Sequence, residues 1–147
     1  MVRRECEFQL RPVEADDLEW LVELRRQTMR AHVEAAGTPY DEGRQRQRAL
    51  DKLDWTQIIE TDAQPIGVLK VDRSQQPWHF GQIQLRPEYQ GRGWGSALIR
   101  CVLEEADEVG AAVELSVLKG NPAKRLYERM GFVVVEEKDR AWKMRYG

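Results

Sequence analysis

Residues 85–96 read Leu85-Arg-Pro-Glu-Tyr-Gln-Gly-Arg-Gly-Trp-Gly-Ser96, a glycine-rich stretch between an extended apolar run and a helical pattern. Gly91, Gly93 and Gly95 lack Cβ atoms, so the chain can turn tightly there and bring backbone N–H groups close to a ligand. A helix predicted to begin near Trp94 adds the positive end of its dipole. The stretch therefore predicts a strand, a turn and a helix around an anion site, with a phosphate or pyrophosphate as its ligand.

The spacing of the glycines narrows the kind of phosphate ligand. A P-loop needs Gly-x4-Gly-Lys-Ser/Thr, and no lysine follows Gly95, while the dinucleotide fingerprint Gly-x-Gly-x-x-Gly fails because Ser96 stands at its third glycine. The segment Gln90-Gly-Arg-Gly-Trp-Gly95 instead resembles the acyl-CoA pyrophosphate motif, Gln/Arg-x-x-Gly-x-Gly/Ala, of the GNAT (Gcn5-related N-acetyltransferase) superfamily. The resemblance implies that the CoA-binding residues here are Gln90, Gly91, Arg92, Gly93, Trp94, Gly95 and Ser96. Seen alone, such a loop could equally be a plain strand-to-helix turn.

A second motif, Lys119-Gly-Asn-Pro-Ala-Lys-Arg-Leu-Tyr-Glu-Arg-Met-Gly-Phe132, follows a predicted strand. An N-cap asparagine, a proline at the first helical position and a glycine after the last turn predict one short helix. The segment resembles the GNAT pattern Asn-x-x-Ala/Lys-x-x-Tyr-x-x-x-Gly-Phe. That resemblance implies that Asn121 and Lys124 contact CoA and that Tyr127 is the general acid for the thiolate. The alternatives are that Tyr127 only packs on its helix face and that Asn121 is only a cap.

The resemblance also implies roles for the strand before the loop. In the family, backbone groups at the end of the fourth strand bind the pantetheine arm and polarise the acyl carbonyl, and Ile83, Gln84 and Leu85 hold those positions here. Four residues before Ile83, where the histone-acetylating branch carries a glutamate base, stands His79. An imidazole, with a pKa of about 6.5, can accept the amine proton through water. The alternative is a partly buried strand histidine with a structural hydrogen bond.

Apolar periodicity over the whole chain predicts the element order β-α-α-β-β-β-α-β-α-β-β. Asp16 and Glu19 predict a capping box at the start of the first helix, which ends near Gly37, and Leu98, Cys101, Val102 and Val109 predict the apolar stripe of the helix after the loop. The order is that of the GNAT fold, an α/β fold with a mixed, mostly antiparallel central sheet flanked by helices. Further predicted elements are a first strand ending at Arg11-Pro12, a helix over 41–50, a turn at Asp62-Ala-Gln-Pro65, and strands over 56–60, 65–71, 78–85, 112–118, 132–136 and 140–146.

Length, composition and net charge limit the number of domains and the kinds of partner that the protein can have. The 147 residues, 41% of them hydrophobic, predict one N-acetyltransferase domain over residues 1–147. A net charge of −2 argues against a nucleic-acid partner, and the run Arg44-Gln-Arg-Gln-Arg48 is interpreted as a solvated helix face. Since no apolar stretch is long enough to span a bilayer and no leader is apparent, we expect a cytoplasmic protein without a membrane partner. Cys6 and Cys101 are expected to be buried thiols, and no metal site is expected.

Together these features predict acetyl transfer from acetyl-CoA, the cosubstrate, to a primary amine by direct attack in a ternary complex. Neither motif contains a cysteine that could form a covalent acyl-enzyme. The alternative is a CoA-binding sensor or interaction domain without turnover. The acceptor class stays open among small amines, aminoglycoside-like amines, peptide N-termini and lysine, and a homodimer is also left open. Candidate acceptor contacts are Arg26, His32, Tyr40 and Trp78, whereas Trp142 is assigned to packing.

Overall fold

The computed structural model of the protein describes residues 8–35 and 37–147, except for the side chain of His32. Its helices and strands follow the predicted order. Cys6 and the beginning of the first predicted strand lie outside the described residues. The strands are β1 (Gln9–Pro12), β2 (Thr56–Thr61), β3 (Gln64–Asp72), β4 (Trp78–Leu85), β5 (Val113–Leu118), β6 (Val133–Glu137) and β7 (Ala141–Tyr146); the helices are α1 (Leu18–Ala35), α2 (Glu42–Ala49), α3 (Trp94–Val109) and α4 (Ala123–Arg129).

The seven strands form one sheet in the order β1-β2-β3-β4-β5-β7-β6. Neighbouring strands β1 and β2, β2 and β3, β5 and β7, and β6 and β7 pair antiparallel, whereas β4 and β5 pair parallel. The mixed, mostly antiparallel α/β sheet predicted from the sequence is therefore confirmed. The turn between β2 and β3 is tighter than predicted, because Asp62 and Ala63 both take positive φ angles and close a two-residue hairpin.

The described residues fall into two compact units, and the first comprises the chain up to Lys70 together with Gln82–Gly95. Its core forms where apolar residues of α1 meet residues of β2 and β3 that alternate toward one face. The buried members of this core are Leu21, Leu24, Ile58 and Val68, and Leu18, Trp20, Leu50 and Leu53 pack against them. This core supports α1 against the strands that lead to the end of β4.

The second unit comprises Val71–Gly81 and Ser96–Gly147. The buried stripe of α3 includes Leu98, Val102 and Ala106 at helical spacing, and β5 buries alternate residues. Strand β7 lies between β5 and β6, and its buried Met144 pairs with Leu115 of β5 and Val134 of β6. This unit carries both α4 and the first residues of β4.

Four local predictions were wrong. The capping box lies two residues earlier than predicted, at Glu14 and Asp17, and it opens a 3-10 turn that leads into α1. Val109 is 67% exposed because the last turn of α3 runs past the apolar stripe. Cys101 is half-buried rather than buried. Helix α4 begins at Ala123, so Pro122 precedes the helix instead of occupying its first position.

No described helix is long and apolar enough to cross a membrane.

Candidate active site

The glycine-rich loop joins β4 to α3 through a single 3-10 turn at Pro87–Tyr89. Gly91 and Gly93 have φ angles of +72° and +82°, which side chains with a Cβ rarely adopt, so the turn requires glycine at both positions. The first turn of α3 contains no acidic residue, so no carboxylate there competes for its N–H groups. Helix α3 thus begins at Trp94, directly after the turn, as the sequence predicted.

Gly95 differs from the other two loop glycines. It lacks a positive φ angle, and a Cβ built on it would meet no heavy atom of another part of the chain within 4 Å. Neither backbone conformation nor packing therefore requires glycine at this position. The space in front of the first turn of α3 is open for a ligand that approaches the backbone closely.

Two residues of the motif hold the loop in position. The Gln90 side chain donates a hydrogen bond from Nε2 to the Leu85 carbonyl at 2.9 Å, which ties the loop back to the end of β4. The indole of Trp94 packs edge-on against Phe8, with ring centroids 4.8 Å apart, and against Tyr89 at 6.0 Å. The side chains of Gln90 and Trp94 thus support the loop from the protein side.

The end of β4 depends on a glycine that the sequence analysis missed. A Cβ on Gly67 of β3 would stand 2.3 Å from the Gln84 carbonyl oxygen and 2.9 Å from the Leu85 side chain. The neighbouring Arg86 N–H donates to the Ile66 carbonyl at 2.8 Å. Gly67 therefore allows the backbone of residues 84–86 to lie against β3. A lone glycine inside a strand pattern is a signal of such close approach, and it was present in the sequence.

A cavity of about 260 Å3 lies beside this strand end. It is lined by Thr28 and Met29 of α1, by Gln82, Ile83, Gln84 and Leu85 of β4, and by Gln90 of the loop. The Gln84 Nε2 atom is buried and has no hydrogen-bond partner among the described residues. Because an unsatisfied buried amide costs free energy, this donor is suited to a carbonyl oxygen of a ligand in the cavity.

The start of β4 pairs with β5 through Trp78 with Val113 and His79 with Glu114. Along β4 the side chains alternate, so Trp78 and Phe80 are buried while His79 and Gly81 are exposed. His79 is thus exposed rather than partly buried. Trp78, an acceptor candidate, is 8% exposed, and the Arg73 guanidinium lies 5.3 Å from its ring centroid.

Helix α4 carries the predicted general acid. Asn121 accepts a hydrogen bond at Oδ1 from the Ala123 N–H, the first N–H of α4, at 2.9 Å. Pro122, and not Asn121 as predicted, stands at the N-cap, and the Asn121 amide N–H groups are left available for other partners. Tyr127 is half-buried and packs edge-on against Phe132 at 5.7 Å. Burial raises the pKa of the Tyr127 phenol above its usual value, so the group stays protonated at neutral pH. Lys124 contacts Glu128 at 3.2 Å.

Two acceptor candidates, one on α1 and one in the segment between α1 and α2, are already engaged within the protein. Arg26 donates to Glu42 at 2.9 Å and also to Glu23, and these carboxylates raise the pKa of its guanidinium. The Tyr40 ring lies 5.9 Å from the Arg30 guanidinium, and burial raises the pKa of its phenol. The side chain of His32 lies outside the described residues. The charge of Arg26 is thus already neutralised within the protein.

The predicted site residues divide between the two units. Ile83 to Leu85 and Gln90 to Gly95 belong to the first unit, as do Arg26 and Tyr40. His79, Ser96, Asn121, Lys124 and Tyr127 belong to the second unit. No group of histidine, cysteine or acidic side chains suited to a metal ion occurs within residues 8–35 and 37–147.

The chain resembles known proteins in sequence and in fold. Residues 30–144 match the family described as an acetyltransferase (GNAT) domain. Solved structures with the same fold include the PaiA N-acetyltransferase of Thermoplasma acidophilum in complex with coenzyme A, with a TM-score of 0.72, 18% identity, and coverage of 95% of this chain and 98% of that one. An acetyltransferase of Thermus thermophilus superimposes with a TM-score of 0.71, 20% identity and coverage of 94% of both chains. The ribosomal-protein-S18-alanine N-acetyltransferase of Escherichia coli gives a TM-score of 0.67 at 18% identity, covering 95% of this chain and 92% of that one.

Proposed function

Because the chain belongs to the GNAT acetyltransferase family, we propose that it transfers the acetyl group of acetyl-CoA to a primary amine by direct attack, as one N-acetyltransferase domain over residues 1–147. The observation that carries the proposal is the loop at the N-terminus of α3, where Gly91 and Gly93 shape the turn and Gly95 leaves space that packing does not need. A pyrophosphate fits this arrangement, since backbone N–H groups and the helix dipole both favour an anion there.

The cavity at the end of β4 suits the next part of the same cosubstrate. The backbone of Ile83, Gln84 and Leu85 would hold the pantetheine arm, and the buried Gln84 amide offers a donor for one of its carbonyl oxygens. The Leu85 carbonyl is occupied by Gln90, so the contacts of this stretch would come from the remaining backbone groups. Asn121 and Lys124 complete the proposed set of binding residues.

The chemistry requires one bond to form and one to break. The amine nitrogen bonds to the acetyl carbon, the carbon–sulfur bond breaks, the sulfur takes a proton and the amine loses one. Tyr127 would supply the proton to sulfur, because a phenol kept neutral by burial can donate to a thiolate whose conjugate acid has a pKa of about 8.5. His79, exposed on β4, would accept the amine proton through water.

The acceptor is proposed to be a small-molecule or peptide amine. A ribosomal-protein-S18-alanine N-acetyltransferase shares the fold, which keeps a peptide N-terminus among the acceptors to test. The test is thermal stability with acetyl-CoA, followed by a panel of amines read out by release of the CoA thiol. Acetyl-CoA at a hundredfold excess over its dissociation constant should stabilise the fold by about 2.7 kcal/mol. Unchanged melting at millimolar acetyl-CoA would refute the binding site, and stabilisation without thiol release on any amine would favour a sensor domain.

A further inference from the structure

Two consecutive arginines of α1 have opposite environments. Arg26 is half-buried and is bound by the carboxylates of Glu23 and Glu42. Arg25 is only 7% exposed, and its Nε donates a hydrogen bond to Oε1 of Gln45 on α2, at 2.7 Å. Gln45 is itself 5% exposed and carries no charge. Among the described residues, no carboxylate lies within 4.0 Å of the Arg25 guanidinium, so this buried cation lacks a counter-ion.

The charged groups around Arg25 add positive charge instead of balancing the charge of its guanidinium. The cations Arg48 and Lys70 both interact with Arg25 through space. Tyr40 also faces it, but burial raises the pKa of that phenol and keeps it neutral at ordinary pH. Burial in turn lowers the pKa of the Arg25 guanidinium. An uncompensated buried charge is strongly destabilising, so a fold that retains one calls for a reason.

A cavity of about 460 Å3 is connected to Arg25 through Gln45, which accepts the Arg25 hydrogen bond and forms part of the cavity wall, whereas Arg25 itself does not line it. The other lining residues are Val33, Thr38, Pro39, Asp41, Arg44 and Arg48. The Asp41 carboxylate caps α2 by accepting from the Arg44 N–H at 3.0 Å. Arg44 and Arg48 bring two positive charges to the cavity wall, and the carboxylate of Asp41 already accepts a hydrogen bond within the protein. The cavity therefore favours an anion.

The face of α1 that carries Arg25 also lines the cavity at the end of β4. Thr28 and Met29 follow Arg25 by three and four residues, so all three lie on one side of the helix. They belong to the same compact unit, and one helical turn corresponds to about 5.4 Å along the axis. A molecule with its amine near the end of β4 could therefore extend an anionic group to Arg25.

From these contacts we infer that Arg25, held by Gln45, binds a carboxylate of the acceptor, so that the acceptor is an amine that also carries a carboxylate. The inference rests on the proposed acetyl transfer. The planar guanidinium presents its two terminal NH2 groups for bidentate pairing with a carboxylate, while Nε stays bonded to Gln45. Arg44 and Arg48 add positive charge that attracts the acceptor.

The test compares acceptors in matched pairs that differ by one charge. Suitable pairs are glycine with glycinamide, 4-aminobutyrate with 4-aminobutyramide, and peptide amides beginning with Asp or Asn. Both kcat/KM and thermal stabilisation are measured, so that binding is observed whether or not acetyl transfer occurs. Arg25→Met should lower the preference for the carboxylate member of a pair by about 10- to 100-fold and leave its amide partner nearly unchanged. Met should also fold, since it replaces an unpaired buried charge by an apolar chain.

Arg46→Gln is the matched control, because Arg46 lies on α2 next to Gln45 but is paired with Glu19. It should keep the wild-type preference, while Arg25→Lys should lose most of it because an ammonium cannot make the planar contact. Equal stabilisation and equal turnover for both members of every pair in the wild type would overturn the carboxylate site and leave acetyl transfer standing. Stabilisation by carboxylates that Arg25→Met abolishes, without thiol release on any amine, would uphold the site and refute the proposed function.

Discussion

The loop at residues 86–96 and the helix pair α1 and α2 both offer positive groups to a ligand, but with different parts of the chain. In the proposed CoA site the loop would use backbone N–H groups, and its shape follows from glycines with positive φ at Gly91 and Gly93. In the inferred acceptor site the helix pair would use the side chain of Arg25, which is held by Gln45, twenty residues away in the sequence. A backbone site therefore leaves a signature in the local sequence, whereas a side-chain site of this kind becomes visible only when its neighbours are known.

The largest expected effect tests whether Tyr127, in the proposed CoA site, donates a proton to the leaving thiolate. Tyr127→Phe should lower kcat by about 100-fold or more, because the leaving thiolate loses its proton donor. Acetyl-CoA affinity should stay near the wild-type value, since the ring and its contact with Phe132 are retained. Titration calorimetry and single-turnover kinetics separate the two quantities. Wild-type turnover in this variant would reduce Tyr127 to a packing residue.

A second prediction separates backbone strain from ligand clearance in the loop. Gly93→Val should weaken acetyl-CoA binding by about tenfold, equal to about 1.4 kcal/mol. Gly37→Val is the control, since Gly37 has a similar φ of +85° and a Cβ there meets no heavy atom within 4 Å. Both variants should have a lower melting temperature than the wild type, because valine at such a φ angle costs on the order of 1–3 kcal/mol of stability. Equal loss of acetyl-CoA affinity in both would remove the ligand-clearance argument.

A third prediction sets two glycines against each other. Gly67→Ala should cost about 1–3 kcal/mol of unfolding free energy, because its Cβ would overlap the Gln84 carbonyl. Gly95→Ala should leave stability unchanged or raise it by up to about 1 kcal/mol, as alanine favours a helix, yet it should weaken acetyl-CoA binding. Urea denaturation and calorimetry measure both quantities. Full acetyl-CoA affinity in Gly95→Ala would show that the space beside α3 is not used by the pyrophosphate.

The smallest expected effect concerns the amine proton. His79→Ala should lower kcat/KM several-fold near neutral pH, while acetyl-CoA affinity barely changes. The loss should diminish as pH rises toward the amine pKa of about 10.4, where the acceptor needs no help to lose its proton. A pH profile of kcat/KM over that range makes the comparison. If the profiles of the variant and the wild type coincide, water alone accepts the proton.

The sequence predicted the fold and the loop well because both depend on local rules. Alternation and helical spacing located the helices and strands, and positive φ at Gly91 and Gly93 agrees with the turn inferred from glycine spacing. Gly67 was missed, although a glycine within an apolar strand run signals close backbone approach. The capping box was displaced because Asp16 and Glu19 satisfy the same pattern as the pair Glu14 and Asp17, and only three-dimensional placement decides between them.

The acceptor side could not be predicted in the same way. The sequence favoured Arg26, but its charge is taken by Glu42, a residue of α2 whose position depends on how the helices pack. Arg25 does stand in the apolar stripe of α1, four residues after Leu21 and four before Met29, which was a usable signal of burial. Which groups surround the Arg25 guanidinium depends on tertiary packing alone.

The position of β7 has a consequence for how the chain folds. It follows β6 in the chain, yet it supplies the strand between β5 and β6, with Met144 at its centre. On the ribosome, β5 and β6 therefore emerge with open edges and cannot pair through their common partner until residue 146 has left the exit tunnel. Such late, non-local closure slows folding and exposes strand edges to aggregation. Val133 to Val135 of β6 stay exposed even in the folded chain, so this apolar strand is open to other chains while β7 is still missing, and expression at lower temperature should raise the soluble yield.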